Sequence, residues 1–473
     1  MMHKCNVSSV LIICLFLAGC AVGPDYTPPE LPADLVQWQQ PSEYGLIASQ
    51  ADISQWWQIL NDYSLNELVE RGLSGNLDLD QARSRVREAR AARGIEAAAR
   101  FPALTTSGSA TKAKVGDLPT NELYATGFDA AWEIDIFGGV SRRIEASTAD
   151  MQASIESLRG VQVSLVAEIA LNYVEVRSFQ NRIRVAKANI EAQQKTLEVV
   201  TDRFDLQLTN SLEVEQAKSN LAGSRAQIPP LQSGLQQAMN RLAVLTGKKP
   251  GALNVFLQDA SSVPMAPPEI AIGIPADLIR RRPDIRAAER ELAAQSARVG
   301  VAEADLYPRF TFNGTLQFAA ANTSSLFDSM SRLSNIGPAF QWNIFNAGSV
   351  RSNINVQNER QKQALIKYEQ TILQALEEVE NAMVAYAREL DRQESLKQAV
   401  TATRKSANLA ESLYKDGLKD FIYVLDAQRA LFAAEDQLAV SSAEVAANLV
   451  RLYKALGGGW NPAPGEVTEN ISK

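Results

Sequence analysis

Tyr124-Ala125-Thr126-Gly127-Phe128-Asp129-Ala130-Ala131-Trp132-Glu133-Ile134-Asp135-Ile136 changes polarity at nearly every step. Tyr124, Phe128, Ala130, Trp132, Ile134 and Ile136 share one parity and Gly127, Asp129, Glu133 and Asp135 the other, so a two-residue period puts them on opposite faces of a strand. Phe310, Phe312, Leu316 and Phe318 oppose Arg309, Thr311, Asn313, Thr315 and Gln317 in the same way. Ile336, Phe340, Trp342 and Ile344 then oppose Gly337, Gln341 and Asn343, and Pro102 and Pro308 mark where helix gives way to strand. Strands are predicted over 102–115, 121–137, 307–321 and 334–346, each at least the roughly 9 to 11 residues that a tilted membrane strand needs. A half-buried strand of a water-soluble sheet carries the same alternation, but an apolar face rich in aromatics fits a barrel wall. Four strands cannot close a barrel, because even the smallest single-chain barrels have about eight, and open edges in lipid leave backbone groups unpaired at several kcal/mol each. Two copies would supply about eight strands and three about twelve, and only the larger ring leaves a useful channel.

The chain is also its own template. Shifted by about half its mature length, one half lies on the other: Ile169 on Val379, Phe204 on Tyr414, Leu208 on Leu418, Val214 on Val424, Ala217 on Ala427, Leu242 on Leu452 and Gly247 on Gly457. Upstream, Phe101-Pro102 falls on Tyr307-Pro308 and Ile136-Phe137 on Ile344-Phe345. Each half holds one long helical run. Ser141 to Leu208 is interrupted only by Gly160, and Val350 to Asp416 has neither glycine nor proline. At about 1.5 Å per residue each run would reach roughly 100 Å, more than a compact domain can bury. Val166, Ile169, Tyr173, Val176, Ile183, Ala186, Ile190, Leu197, Val200 and Phe204 recur in steps that fit a coiled-coil seam, as do Ile372, Leu376, Val379, Met383, Tyr386 and Leu390. Thr209-Asn210-Ser211 and Gly417-Leu418-Lys419-Asp420 end the runs, with Gly417 suited to a helix C-cap and Asp420 to capping the next helix.

The predicted order is a signal segment 1–19, an extended segment 20–60, a first repeat 61–250, a linker 251–273, a second repeat 274–457 and a tail 458–473. The first repeat contains a long helix 139–208 and a helix 211–247, and the second a long helix 348–416 and a helix 420–456.

Lys4, the apolar stretch Val10 to Leu17 and Leu17-Ala18-Gly19-Cys20 resemble a bacterial lipobox, in which cleavage before the cysteine leaves it carrying diacylglycerol and an acyl chain. Ala21 follows, not the aspartate that favours inner-membrane retention. Cleavage would remove Cys5, Cys14 and His3, the single histidine among 473 residues, leaving Cys20 as the only cysteine. Histidine ligation, histidine acid-base chemistry and thiol nucleophiles are thereby excluded, and no phosphate-cradling glycine loop is present. Met151, Met239, Met265, Met330 and Met383 are scattered, which does not favour a metal-transfer path. An enzyme is not expected, nor a cofactor beyond the lipid on Cys20. Balanced charge, 47 basic against 54 acidic residues, argues against a nucleic-acid partner.

Three stretches carry a family resemblance: Cys20-Ala21-Val22-Gly23-Pro24-Asp25-Tyr26 with Pro28-Pro29; Ile274-Pro275-Ala276-Asp277-Leu278-Ile279-Arg280-Arg281-Arg282-Pro283-Asp284-Ile285-Arg286-Ala287-Ala288-Glu289; and Val424-Leu425-Asp426-Ala427-Gln428-Arg429. With the duplication, they make the chain resemble the TolC-like outer-membrane efflux factors, in the lipoprotein branch of resistance-nodulation-division pumps. The resemblance implies an α+β membrane protein, a homotrimer whose twelve-stranded β-barrel of four strands per chain continues into a long α-helical coiled-coil periplasmic tunnel. It implies a passive exit duct for drugs or other small molecules, anchored in outer-membrane lipid, with a periplasmic adaptor and an inner-membrane pump as partners. It assigns the periplasmic gate to Ile422, Asp426 and Arg429, which spacings of four and three place on one helical face, and the adaptor-docking tips to Leu208, Thr209, Gly417 and Leu418. Gln207 stands where the second arm has Gly417, which sets the two tips apart. Asp129, Glu133 and Asp135 are expected to face the barrel lumen and favour cations. Two other functions stay open on the sequence: an outer-membrane duct for secreted proteins, and a lipid-anchored coiled-coil scaffold without a pore.

Overall fold

The computed structural model describes residues 21–29, 38, 46–47, 52–264, 270–272, 278–279 and 281–461. The signal segment 1–19, Cys20, Ile274 to Asp277, Arg280 and the tail from 462 lie outside the described residues. In chain order the elements are β1 (Leu46–Ile47), α1 (Tyr63–Gly75), α2 (Leu77–Ala98), β2 (Ala103–Ala113), β3 (Asn121–Ile134), α3 (Gly139–Asp205), α4 (Ser211–Arg225) and α5 (Ile228–Leu245). They continue with β4 (Ile270–Ala271), α6 (Pro283–Ala304), β5 (Arg309–Ala320), β6 (Arg332–Gln341), α7 (Ser349–Lys415) and α8 (Phe421–Ala455). The duplication reappears in the element lengths: α2 and α6 have 22 residues each, α3 and α7 have 67.

The chain falls into two compact units. One comprises the N-terminal segment with residues 83–156 and 284–371, the other 31–82, 157–283 and 372–473. In the first, β2-β3-β5-β6 form one antiparallel sheet in that order. Its helical part packs small side chains, Ala149, Ala293 and Ala294, around Tyr26. There Arg286 meets the buried Glu156 at 2.8 Å, so a carboxylate removed from water keeps a charged partner. In the second unit Leu65, Leu68, Ile169, Tyr173, Leu242 and Leu449 are fully buried, and β1 pairs with β4 in parallel. Tyr173 donates its hydroxyl to Asp62 at 2.7 Å and accepts from Arg177 at 3.0 Å.

Three local outcomes differ from the sequence expectation. The helix expected over 211–247 is two, α4 and α5, because Pro229 and Pro230 lack the amide hydrogens a helix interior requires and sit in the first turn of α5 instead. The second repeat has no proline there, and α8 runs unbroken for 35 residues. Asp420 occupies the N-cap position of α8 without a side-chain cap bond, whereas Asn210 caps α4 by accepting from Leu212 and Glu213. Finally, the strands stop short of Ile136 and Ile344. At both places the chain turns through a tight bond, Ile136 N to Ile134 O at 2.9 Å and Ile344 N to Trp342 O at 3.1 Å.

Gly247 and Gly417 both adopt positive φ, +70° and +74°, but a Cβ on Gly247 would lie 1.9 Å from the Gly75 carbonyl oxygen and one on Gly417 would meet nothing within 4 Å. Gly417→Ala is therefore expected to cost about 1 to 2 kcal/mol of backbone strain alone. Gly247→Ala should lower the thermal unfolding temperature of the purified protein clearly further; equal losses would show that the approach of Gly75 does not matter.

Candidate functional site

The sheet is two-faced because its register is in step. Trp132 pairs with Phe312, Phe128 with Leu316 and Ile134 with Phe310, while Phe310 in turn pairs with Phe340 and Gly314 with Ile336. These share one face. On the other, Asp129 lies between Thr105 and Thr315, Gly127 between Ser107 and Gln317, and Glu133 beside Thr311. The apolar face is open: Phe128 is 52%, Ile336 74% and Phe340 70% exposed in the single chain. A contiguous apolar surface of this kind marks a lipid or protein partner. Each outer strand, β2 and β6, has one neighbour in the sheet, so one edge of each carries unpaired backbone donors and acceptors. At the helix-to-strand junctions, the indoles of Trp132 and Trp342 donate to the carbonyls of Arg100 and Leu306, both at 3.0 Å; the two acceptors are counterparts, while Trp342 falls on Ile134 in the repeat.

The three carboxylates expected in the lumen part company. Asp129 is exposed on the polar face and accepts from the Thr315 hydroxyl at 2.8 Å. Glu133 shares that face and lies 3.8 Å from Arg143. Asp135 is beyond the end of β3, and its two oxygens accept from the Val140 and Ser141 amides at 2.9 and 2.7 Å. It satisfies free donors in the first turn of α3 and complements the helix dipole there, so its carboxylate is engaged as a helix cap.

Both helical tips close with the same bonds. Leu208 N donates to Arg203 O and Leu418 N to Leu413 O, each at 2.8 Å, with Gln207 and Gly417 at φ +58° and +74°. This is the Schellman arrangement. Gln207 adopts the left-handed conformation that glycine takes more easily, so the substitution separating the tips in sequence does not change the turn. Leu208 and Leu418 stand exposed, as does Gly417, and Thr209 is half-buried.

Between the tips lies a link that the sequence did not reveal. Tyr414 is buried with Val200, Val214, Phe421, Val424 and Leu425, and its hydroxyl donates to Glu213 at 2.7 Å. Burial, then the bond to Glu213, push its phenol up to about 12. The Arg203 guanidinium sits 4.8 Å from the Tyr414 ring centre and donates to the carbonyls of Tyr414 and Lys415 at 3.2 and 3.1 Å. The equivalent of Tyr414 in the first repeat is Phe204, which lacks the hydroxyl and is partly exposed.

Ile422, Asp426 and Arg429 are all exposed on one side of α8, opposite the buried Phe421, Val424, Leu425 and Gln428. Arg429 does not pair with Asp426 in the chain; its Nε donates to Asn220 at 2.9 Å. Arg429 and Asn220 line a polar groove of about 570 Å³ with Gln193, Ser224 and Asp436. Asp426 makes no ion pair or hydrogen bond among the described residues. Its carboxylate is available to a neighbouring molecule.

No helix among the described residues is long and apolar enough to cross a membrane, which leaves the sheet as the element suited to lipid. The model of the family described as outer membrane efflux protein matches residues 68–248 and 274–458. Nodulation protein T of Rhizobium leguminosarum bv. trifolii is 33% identical over 458 residues, covering 95% of this chain and 96% of its own. The cation efflux system protein CusC of Escherichia coli O6:H1 is 32% identical, covering 95% and 97%. Among solved structures, the outer-membrane channel OprN is similar with a TM-score of 0.87 at 38% identity, over 94% of this chain and 100% of that one. A structure of CusC, described with the conformational changes accompanying folding and transmembrane channel formation, gives 0.83 at 28% identity, over 93% and 100%.

Proposed function

The chain belongs to the outer membrane efflux protein family, as an outer-membrane channel component of an efflux pump and not an enzyme, and we propose that three copies close one pore. The observation that supports the ring is the sheet: one apolar exposed face, one polar face and two unpaired edges. Three such sheets supply about twelve strands, a number within the range of closed membrane barrels, and closure satisfies every edge group. The face bearing Phe128, Phe312, Ile336 and Phe340 meets lipid. The face bearing Asp129, Glu133 and Thr315 lines water and favours cations.

α3 and α7, with α4, α5 and α8 behind the tips, form the periplasmic tunnel. Cys20 carries diacylglycerol and an acyl chain that hold the protein to the outer membrane. Solutes small enough for the tunnel pass without chemistry; the energy comes from an inner-membrane pump joined through a periplasmic adaptor. Leu208, Thr209, Gly417 and Leu418 are the adaptor's docking points, supported by the exposure of Leu208, Gly417 and Leu418 and by the Schellman turns beneath them.

Ile422, Asp426 and Arg429 form the gate. Around a threefold axis they stack an apolar, an acidic and a basic ring within about one and a half to two turns of helix. The unpaired Asp426 of one chain faces a basic group of the next.

Ile336 and Asn335 are neighbours on opposite faces of β6, which makes them a direct test of the barrel. Ile336→Arg places a charge in lipid at roughly 2 to 4 kcal/mol per chain near the midplane and should abolish detergent-resistant trimers and conductance in planar bilayers, while Asn335→Arg keeps both. Trimers that survive the first change and vanish with the second would invert or end this assignment. Asp426→Ala combined with Arg429→Ala should raise single-channel conductance and the entry of antibiotics into cells, and unchanged values would remove the gate. Cysteines at 209 and 419 should cross-link to the adaptor in cells; capture from mid-tunnel positions alone would refute docking at the tips.

A further inference from the structure

The residues directly behind Cys20 follow a fixed course over the first unit. A Cβ on Gly138 would come within 2.6 Å of Ala21, and Val22 N donates to the Phe137 carbonyl at 3.1 Å. Arg142, on the first turns of α3 and 4% exposed, closes over this segment. Its Nε donates to Val22 O at 3.1 Å, one terminal nitrogen to Gly23 O at 3.2 Å and Asp25 Oδ1 at 2.7 Å, and the other to Glu145 at 2.8 Å. Gly23, at φ +90°, lies so near Gly300 of α6 that a Cβ on it would be 2.4 Å from the Gly300 Cα. A Cβ on Gly300 would in turn press on Arg142 and on the Val22 carbonyl, each at 3.0 Å. Tyr26 completes the docking, its hydroxyl donating to Glu289 at 3.1 Å.

We infer that Arg142 and Gly300 form a seat for the segment behind the lipidated cysteine, fixing the acyl anchor at the junction where β3 passes into α3. The inference rests on the lipidation of Cys20. The chemistry of the seat is specific. A guanidinium offers planar, fixed donors enough for two carbonyls and two carboxylates at once, which a lysine ammonium cannot match in that geometry. Because two of its acceptors are backbone carbonyls, the seat recognises the path of the chain, and only glycine at 23 lets that path approach α6.

The duplication shows that the arrangement is dedicated. By helix position, Arg142 corresponds to Ser352, which is exposed, and Gly300 corresponds to Gly94, around which a Cβ would meet nothing within 4 Å. One residue from each repeat builds the seat, so it exists once, as does the segment it holds. An anchor on a loose leash would fix the protein to a bilayer but not set the depth of its sheet; a seated one sets both.

The test places a spin label at the exposed Pro24 through Pro24→Cys in the full-length protein extracted from outer membranes. The lipidated Cys20 is a thioether and takes no label, so one label per chain is expected, with an immobilised spectrum. Arg142→Gln should convert it to a mobile one. Gly23→Ala, which alters only the segment and leaves the folded body intact, should do the same, and Ser352→Ala should not. An immobilised spectrum in both Arg142→Gln and Gly23→Ala, or a mobile one in the unaltered seat, overturns the inference. Two labels per chain would instead overturn the lipidation of Cys20, and the mobility comparison would still decide the seat.

Discussion

Backbone amides and carbonyls immersed in hydrocarbon have no water to bond, and the outer edges of β2 and β6 each present a row of them. Among the described residues no further strand pairs with those edges. The same sheet leaves Phe128, Ile336 and Phe340 exposed on one face, an arrangement that is costly in water and favourable in lipid. The single polypeptide is thus unfinished in its sheet while its helical parts bury ordinary cores. Trp132 and Trp342 mark the border, each with its indole nitrogen tied to a helix-end carbonyl and its ring beside the apolar face, as suits an interface that is wet on one side.

Duplication explains why the architecture is so regular, and the departures from it show where the halves have separate tasks. The lengths of α2 and α6, those of α3 and α7, and the tip turns are shared. Tyr414 is not: its partner Phe204 has no hydroxyl, so Glu213 of the first arm is held by the second arm and the relation is not returned. Arg142 is not shared either, having Ser352 as its counterpart. Tyr414 joins the two repeats through its hydroxyl, whereas Arg142 ties the first repeat to the N-terminal segment.

The long helices and the four strands were legible because their signals are local and repeated: no proline over 67 residues, a seam in steps of three and four, and strict alternation in the strands. Asp135 shows where local pattern misleads. Its parity extends the strand perfectly, but α3 begins four residues later with free amide donors, and satisfying those outweighs continuing the alternation. Gln207 misleads in the opposite sense, since a residue that differs from glycine in sequence still closes the turn in the same way. The break at Pro229-Pro230 carried a plain sequence signal that the repeat alignment obscured. The Arg142 seat and the Tyr414 link carried none, because each depends on residues brought together only by the fold.

That proline break has a mechanical side. α8 is one continuous rod, whereas its counterpart is jointed between Arg225 and Ile228. A displacement applied at the end of an unbroken helix is passed along its axis by an uninterrupted ladder of hydrogen bonds, while a joint lets the near segment tilt and leaves the far one at rest. Of the two matching arms, one keeps that ladder whole over 35 residues and the other interrupts it at the prolines.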